Sequence, residues 1–338
     1  MTRSLLAALV LLPCAALAQA PASLPDDAQP DLQVAPGTAA KLLEASATAI
    51  KDGYVFPDKA AAIESKLRQF AKSKKYPQTS AIALADALSK DLQEAGHDRH
   101  LRIIYSHDAV SKTPEAPSPA EQEAERARDA ANNFGFPRAE VLEGNIGYLE
   151  SRFFAEPAGA GETVVAAMGF LANTKALILD LRHNHGGDPA TVALLLSYFF
   201  GNEGVHLNDI YWRPDNSTGQ FWTQAFVPGH KYPRDLYVLI GGDTFSAGEE
   251  CAYDLQTQKR ATLIGEPTGG GAHPIAPHPI ADHFLVLVPS GRAINPITHT
   301  DWEGAGVQPD VVTPADGALD RAKALALAKL SAARPSPK

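Results

Sequence analysis

The rhythm of apolar positions changes along the chain, and each change predicts a different kind of element. Behind Arg3, positions 4–17 form an almost unbroken apolar run, followed by the small residues Ala16-Leu17-Ala18. The run is too short to cross a bilayer, so it predicts a secretory signal peptide over 1–18, cut after Ala18 and exporting the chain to the periplasm. Residues 19–37, rich in Pro, Ala and Asp, predict a flexible leader. Leu42, Leu43, Ala49 and Ile50, then Ala60, Ile63, Leu67 and Phe70, then 82–92, recur at helical spacing. With a short strand at 101–105 they predict a small helical N-terminal domain over 38–106. Residues 107–145 read as a linker, with a polar helix as the alternative for 107–130.

From residue 146 the texture alternates. Apolar runs at 147–154, 175–181, 236–240, 261–264 and 283–288 predict strands, and 163–171, 189–200 and 247–255 predict helices. The run Ala176-Leu177-Ile178-Leu179 has no polar face, as expected of a strand covered on both sides. Such alternation predicts an α/β domain over 146–314, followed by a C-terminal helix and tail over 315–338.

Charge and cysteine content narrow the classes. A net charge of −9 without any block of Lys or Arg argues against nucleic acid as a partner. No second apolar run reaches spanning length, so stable membrane insertion is not expected. Pro13 stands before Cys14 where a lipoprotein signal would have a small residue, which argues against a lipid anchor. Removal of the signal leaves Cys251 alone, so no internal disulfide is expected.

Two strand-to-turn junctions hold the candidate chemistry. The run 235–240 ends at Gly241-Gly242, and Ser246 follows where a helix begins. Helix starts present unpaired N–H groups and the positive end of the dipole, which favour a nucleophilic serine. The alternative is that Ser246 is simply an N-cap. The second junction is Asp180-Leu-Arg-His-Asn-His-Gly186-Gly187. Its glycines allow close backbone approach, so the N–H groups of Gly186 or Gly187, with that of Ala247, could form an oxyanion hole; an ordinary glycine turn is the alternative. A serine nucleophile needs a base. No lysine occurs in 264–272, and Lys259 and Arg260 sit at the far end of the helix, so one of the 11 histidines is the expected base.

His273, His278 and His283 are spaced by five, and His183 and His185 could join them. None shows His-x-x-x-His spacing, and no carboxylate cluster accompanies them, so neither a metal nor another cofactor is expected. Gly269-Gly270-Gly271 lacks the Lys-Ser/Thr ending of a phosphate loop.

Four segments in order, Asp180-Leu-Arg-His-Asn-His-Gly-Gly187, Thr244-Phe-Ser-Ala-Gly-Glu249, Gly265-Glu-Pro-Thr-Gly-Gly270 and Trp302-Glu-Gly-Ala-Gly-Val-Gln-Pro-Asp310, resemble the S41 serine peptidases across 146–313. The leader ending in His97-Asp-Arg-His-Leu-Arg102 resembles the retinoid-binding-protein-like branch, and no PDZ-like segment is evident. The resemblance implies a ClpP/crotonase-like catalytic domain and a peptide or protein substrate. The C-terminal processing branch places its catalytic Lys where this chain has Gly271, which argues against a Ser–Lys pair. The tricorn-like arrangement remains: Ser246 as nucleophile, His100 of Asp98-Arg-His-Leu101 as base, Glu303 as the acid that orients it. His97 is a second candidate base, since on a helix it would share a face with His100. Glu249 matches a family motif, although charge at a helix start also explains it. Some members of that branch carry retinoids or fatty acids without catalysis, which keeps a hydrophobic-ligand carrier as the alternative function.

Overall fold

The computed structural model describes residues 30–76, 80–111 and 117–332. The expected signal peptide, Cys14, most of the leader and the last residues of the tail lie outside them. Helices α1 (Thr38–Gly53), α2 (Pro57–Ser73) and α3 (Ala81–Gly96) lead to strand β1 (Arg102–Tyr105) and helix α4 (Pro119–Ala131). Then come β2 (Arg138–Leu142), β3 (Ile146–Glu150), α5 (Pro157–Leu171), β4 (Ala176–Asp180) and α6 (Pro189–Ser197). A hairpin of β5 (His206–Trp212) and β6 (Ser217–Trp222) precedes β7 (Asp235–Ile240), α7 (Ala247–Thr257) and β8 (Thr262–Gly265). The chain ends with β9 (Ile275–Ala281), β10 (Phe284–Pro289), β11 (Gly291–Ile294), β12 (Val311–Val312) and α8 (Ala318–Ala332).

The main sheet has the order β12-β8-β7-β4-β3-β2. Its pairs are parallel except β2–β3. Alternation along β4 explains its uniformly apolar sequence. Leu177 and Leu179 face a core with Val164 and Met168 of α5, Leu195 of α6 and Leu255 of α7. Ala176 and Ile178 face Ala318, Ala322 and Ala326, the small-residue stripe of α8. A sheet covered on both faces is the α/β arrangement expected from the sequence.

The helical leader differs from expectation in one respect. Its core, with Leu43, Ile50, Leu67, Leu88 and Leu92, also contains Phe284, Val286 and Val288. Those residues belong to β10, which pairs antiparallel with β1, Tyr105 opposite Phe284. The N-terminal unit is therefore closed by a hairpin from the far end of the chain. The stretch expected as a linker or a polar helix holds the helix, α4, begun by a Ser118/Glu121 capping box with Pro119 in its first turn, and then edge strand β2, which was not expected. The small β11-β5-β6 sheet was not anticipated.

Candidate active site

Ser246 stands between the carboxyl end of β7 and the start of α7, with φ 52° and ψ −123°. That is a strained backbone for a non-glycine residue and marks a sharp strand-to-helix turn. Three bonds hold the turn: Phe245 N–H to Asn184 O at 2.8 Å, Thr244 Oγ1–H to Leu181 O at 2.8 Å, and Ser246 N–H to Glu249 Oε2 at 2.9 Å. The first two tie the Ser246 turn to the segment leaving β4. The glycine turn lies directly against the serine: a Cβ on Gly186 would come within 2.7 Å of Ser246 Cβ and 3.2 Å of Ala247 N. The two junctions thus form one site.

Of the three expected oxyanion donors, Gly186 is already committed. Its N–H donates to Asn184 Oδ1 at 2.9 Å. The N–H groups of Gly187 and Ala247 enter no hydrogen bond among the described residues. Asn184, fully buried, fixes this loop through a further bond from Nδ2 to Ser151 Oγ.

Glu249 is neither exposed helix charge nor a free acid. It is fully buried and accepts the N–H groups of Ser246, Gly270 (2.6 Å) and Gly271 (2.8 Å), together with the Thr268 hydroxyl. Burial raises its carboxyl above the usual range despite these donors. It fastens the start of α7 to the glycine run. That run also receives the Trp302 loop: Trp302 Nε1–H donates to Gly271 O at 2.8 Å, and Ala272 N–H to Glu303 Oε2 at 2.6 Å.

His100 reaches the site from the N-terminal unit. Helix α3 ends at Gly96, and His97, at φ 51°, is its exposed left-handed cap. The two histidines therefore share no helix face: the turn sends His97 to solvent and His100 inward. The His100 ring packs on Phe245, the residue before Ser246, at 4.6 Å between centroids, and Arg99 rests on the same ring at 5.0 Å. Arg99 also donates to Gly269 O at 2.8 Å, docking the loop. Burial lowers the His100 pKa to about 4, leaving the imidazole neutral near pH 7. A Cβ on Gly271 would come within 2.3 Å of Phe245 and 2.6 Å of His100 Cε1. A lysine at 271 and the His100 ring as seated here exclude each other.

Glu303 makes no hydrogen bond or ion pair with His100. Its neighbours are Ala272 N–H and His273 Nδ1, the latter 3.5 Å away. His273, 2% exposed, meets Asp98 Oδ2 at 2.7 Å, and Tyr54 donates to the same oxygen at 3.0 Å. Asp98 Oδ1 accepts the His100 N–H at 2.9 Å and lies 3.9 Å from His100 Nδ1. His100 Nδ1 and Glu303 Oε1 are both buried without a partner among the described residues. Burial, then the charge of Asp98, pushes Glu303 up to about 7. Burial disfavours charge on His273, but the Asp98 hydrogen bond and the charge of Glu303 outweigh it and raise its pKa. The expectation that no carboxylates accompany His273 is overturned: Asp98 and Glu303 flank it, brought from distant segments. Neither Tyr54 nor Asp98 was singled out from the sequence, although Asp98 stood inside the Asp-x-His-Leu motif.

Beneath the site, α7 carries a second acidic pair. Glu250 and Asp254 are buried one turn apart, and burial pushes Glu250 up to about 8 and raises Asp254 as well.

Comparison with known proteins now bears on the fold and site together. The family model described as peptidase family S41 matches residues 145–313. The chain belongs to peptidase family S41. A second model, the N-terminal domain of S41 peptidases in eukaryotic IRBP, matches 36–135. Among curated proteins, the chloroplastic carboxyl-terminal-processing peptidase 2 of Arabidopsis thaliana is 30% identical over 180 residues, 50% of this chain and 32% of that protein. The carboxy-terminal-processing protease of Bartonella bacilliformis is 28% identical over 177 residues, 51% of this chain and 39% of that protein. The S41 chain spans about a third of the length of these relatives in the matched region. A Parabacteroides merdae structure described as a candidate peptidase superposes with TM-score 0.62 at 17% identity, covering 88% of this chain and 99% of that one. A lipoprotein from Streptococcus agalactiae gives 0.56 at 13% identity, covering 88% and 99%. The tricorn protease gives 0.51 at 13% identity, covering 87% of this chain and 37% of that one. These structures share the fold of this S41 member. No helix among the described residues is long and apolar enough to cross a membrane.

Proposed function

We propose that this S41 member is an exported serine peptidase that cleaves polypeptide through an acyl-enzyme, with Ser246 as nucleophile, His100 as general base and Glu303 as the acid that orients His100. The observation that carries the reading is the packing of a neutral, buried His100 on the residue before Ser246, in space that a lysine at 271 would need. With Nδ1 toward Asp98, Nε2 is the nitrogen left for the serine. Ser246 Oγ attacks the carbonyl carbon while its proton passes to Nε2. The oxyanion takes the unclaimed N–H groups of Ala247 and Gly187, at the positive end of α7. His100 then protonates the leaving amine, and water releases the acyl group by the reverse path.

Support for Glu303 comes from complementarity. Glu303 Oε1 and His100 Nδ1 are a buried acceptor and a buried nitrogen, each without a partner. Ala272, which binds Glu303, directly follows Gly271, which lies against the His100 ring. A small movement of the loop, or one bridging water, joins them and stabilises the imidazolium. Residues 1–18 support export.

Labelling of the purified mature chain with a fluorophosphonate serine probe tests the reading. Labelling that disappears in Ser246→Ala and falls in His100→Ala and Glu303→Ala is expected. A folded wild type that takes no label, and releases no product from peptide libraries, overturns it in favour of a carrier on the same fold; retinoid and fatty-acid binding would then be measured.

A further inference from the structure

We propose that the side-chain cluster behind His100 is an inhibitory site for a single zinc-class divalent cation, held by Asp98, His273 and Glu303. Asp98, His273 and Glu303 each offer one ligand atom, and the three atoms lie within 4.8 Å of one another. Tetrahedral zinc bonds of about 2.0–2.2 Å place neighbouring ligand atoms ~3.3 Å apart. The observed separations from His273 Nδ1, 2.7 Å to Asp98 Oδ2 and 3.5 Å to Glu303 Oε2, bracket that value.

Unpaired polar atoms border the same cluster. His100 is 8% exposed, and its Nδ1, 3.9 Å from Asp98 Oδ1, has no hydrogen-bond partner. Glu303 Oε1 is likewise buried and unpaired. No Lys or Arg makes an ion pair with Asp98 or Glu303 among the described residues; His273 lies between them, and Tyr54 adds only a neutral donor. Two carboxylates and an imidazole suit a borderline cation such as Zn²⁺, whereas calcium and magnesium favour all-oxygen sites. A metal that holds Glu303 withdraws its carboxylate from His100, which then lacks the acid that orients its ring and stabilises the imidazolium. The cation therefore silences the base without touching the serine. Inhibition, unlike binding, rests on the peptidase reading above.

The test uses the full mature protein, stripped with a chelator and titrated with Co²⁺ as a spectroscopic probe, then with Zn²⁺ in competition. One equivalent with the visible bands of tetrahedral cobalt, displaced by zinc, is expected. His273→Gln and Glu303→Gln should each weaken it by on the order of 100-fold, while His183→Ala, on the surface, should not change it. If His273→Gln does not fold by circular dichroism, Glu303→Gln carries the comparison. No tetrahedral spectrum in wild type, or one indifferent to the substituted ligands, overturns the site. In the same samples zinc should lower fluorophosphonate labelling to the level of metal-free Glu303→Gln and a chelator restore it. A protein that never labels, even metal-free, defeats the peptidase reading and leaves the cobalt titration to decide the metal site.

Discussion

The two halves of the candidate site are built in opposite ways. On the serine side, Asn184, Thr244 and Glu249 spend their polar atoms on backbone groups of neighbouring turns and on the Ser151 and Thr268 hydroxyls, and the strained φ of Ser246 is held by a closed set of bonds. On the base side, four ionisable groups from three separate segments crowd together, and two of their atoms remain unpaired. The serine side is a fixed frame. The base side is an unfinished circuit, which a substrate, a proton or a cation can complete in different ways. The contrast suggests that chemistry is positioned by the first half and tuned by the second.

The sharpest break in that contrast is Ser246→Ala. It should lower kcat/KM by about 10⁴–10⁶-fold while leaving thermal stability near wild type, as measured by peptide hydrolysis beside calorimetry. A stable, still active variant would remove the serine side from the chemistry. Glu303→Gln should cost about 10²–10⁴-fold in kcat and should also change the pH profile. In the proposed mechanism Glu303 must be ionised, and its pKa is pushed up to about 7, whereas His100 at about 4 is already neutral. Activity should therefore rise through about pH 7 in wild type. In Glu303→Gln that limb should vanish, and an unchanged limb would assign it to another group. Gly271→Ala tests how the halves meet: its methyl must displace Phe245 or His100, and a loss of about 10²-fold in kcat is expected from ring misplacement.

A smaller effect concerns α7 itself. Glu250 is raised to about 8 by burial, so the folded state holds its proton more tightly than the unfolded chain. The resulting stability is complete below the ordinary glutamate range and is lost as pH rises through about 8. Melting temperature measured from pH 5 to pH 9 should fall less steeply in Glu250→Gln than in wild type. Smallest of all, His97→Ala, altering an exposed helix cap, should leave kcat within about twofold; a large loss would return His97 to the site.

How much of this could be read from the chain depends on how locally each feature is encoded. Strands β4 and β7 announced themselves because both faces are buried, so their sequence has no polar phase to confuse. Ser246 and Gly186-Gly187 were visible because strand end, turn and helix start are contiguous. Strand β2 was hidden, since at an edge its side chains are largely exposed, and β6 is polar for the same reason. The His97–His100 face failed because helix periodicity was extended past Gly96, where the backbone turns left-handed. The association of Asp98 with His273 could not be seen at all. It depends on β1 pairing with β10, a register that no local pattern specifies.

That pairing has a consequence for the order in which the molecule can be completed. Tyr105 finds its partner Phe284 only after on the order of 180 further residues have been made, a delay of about 10–40 s at ribosomal rates. Until then the three leading helices lack Phe284, Val286 and Val288 from their core, and the loop bearing His100 has no Gly269–Gly271 run to dock on. A late hairpin thus closes the first unit and docks the loop bearing His100, so a nascent or truncated chain ending before β10 lacks the pairing that seats His100.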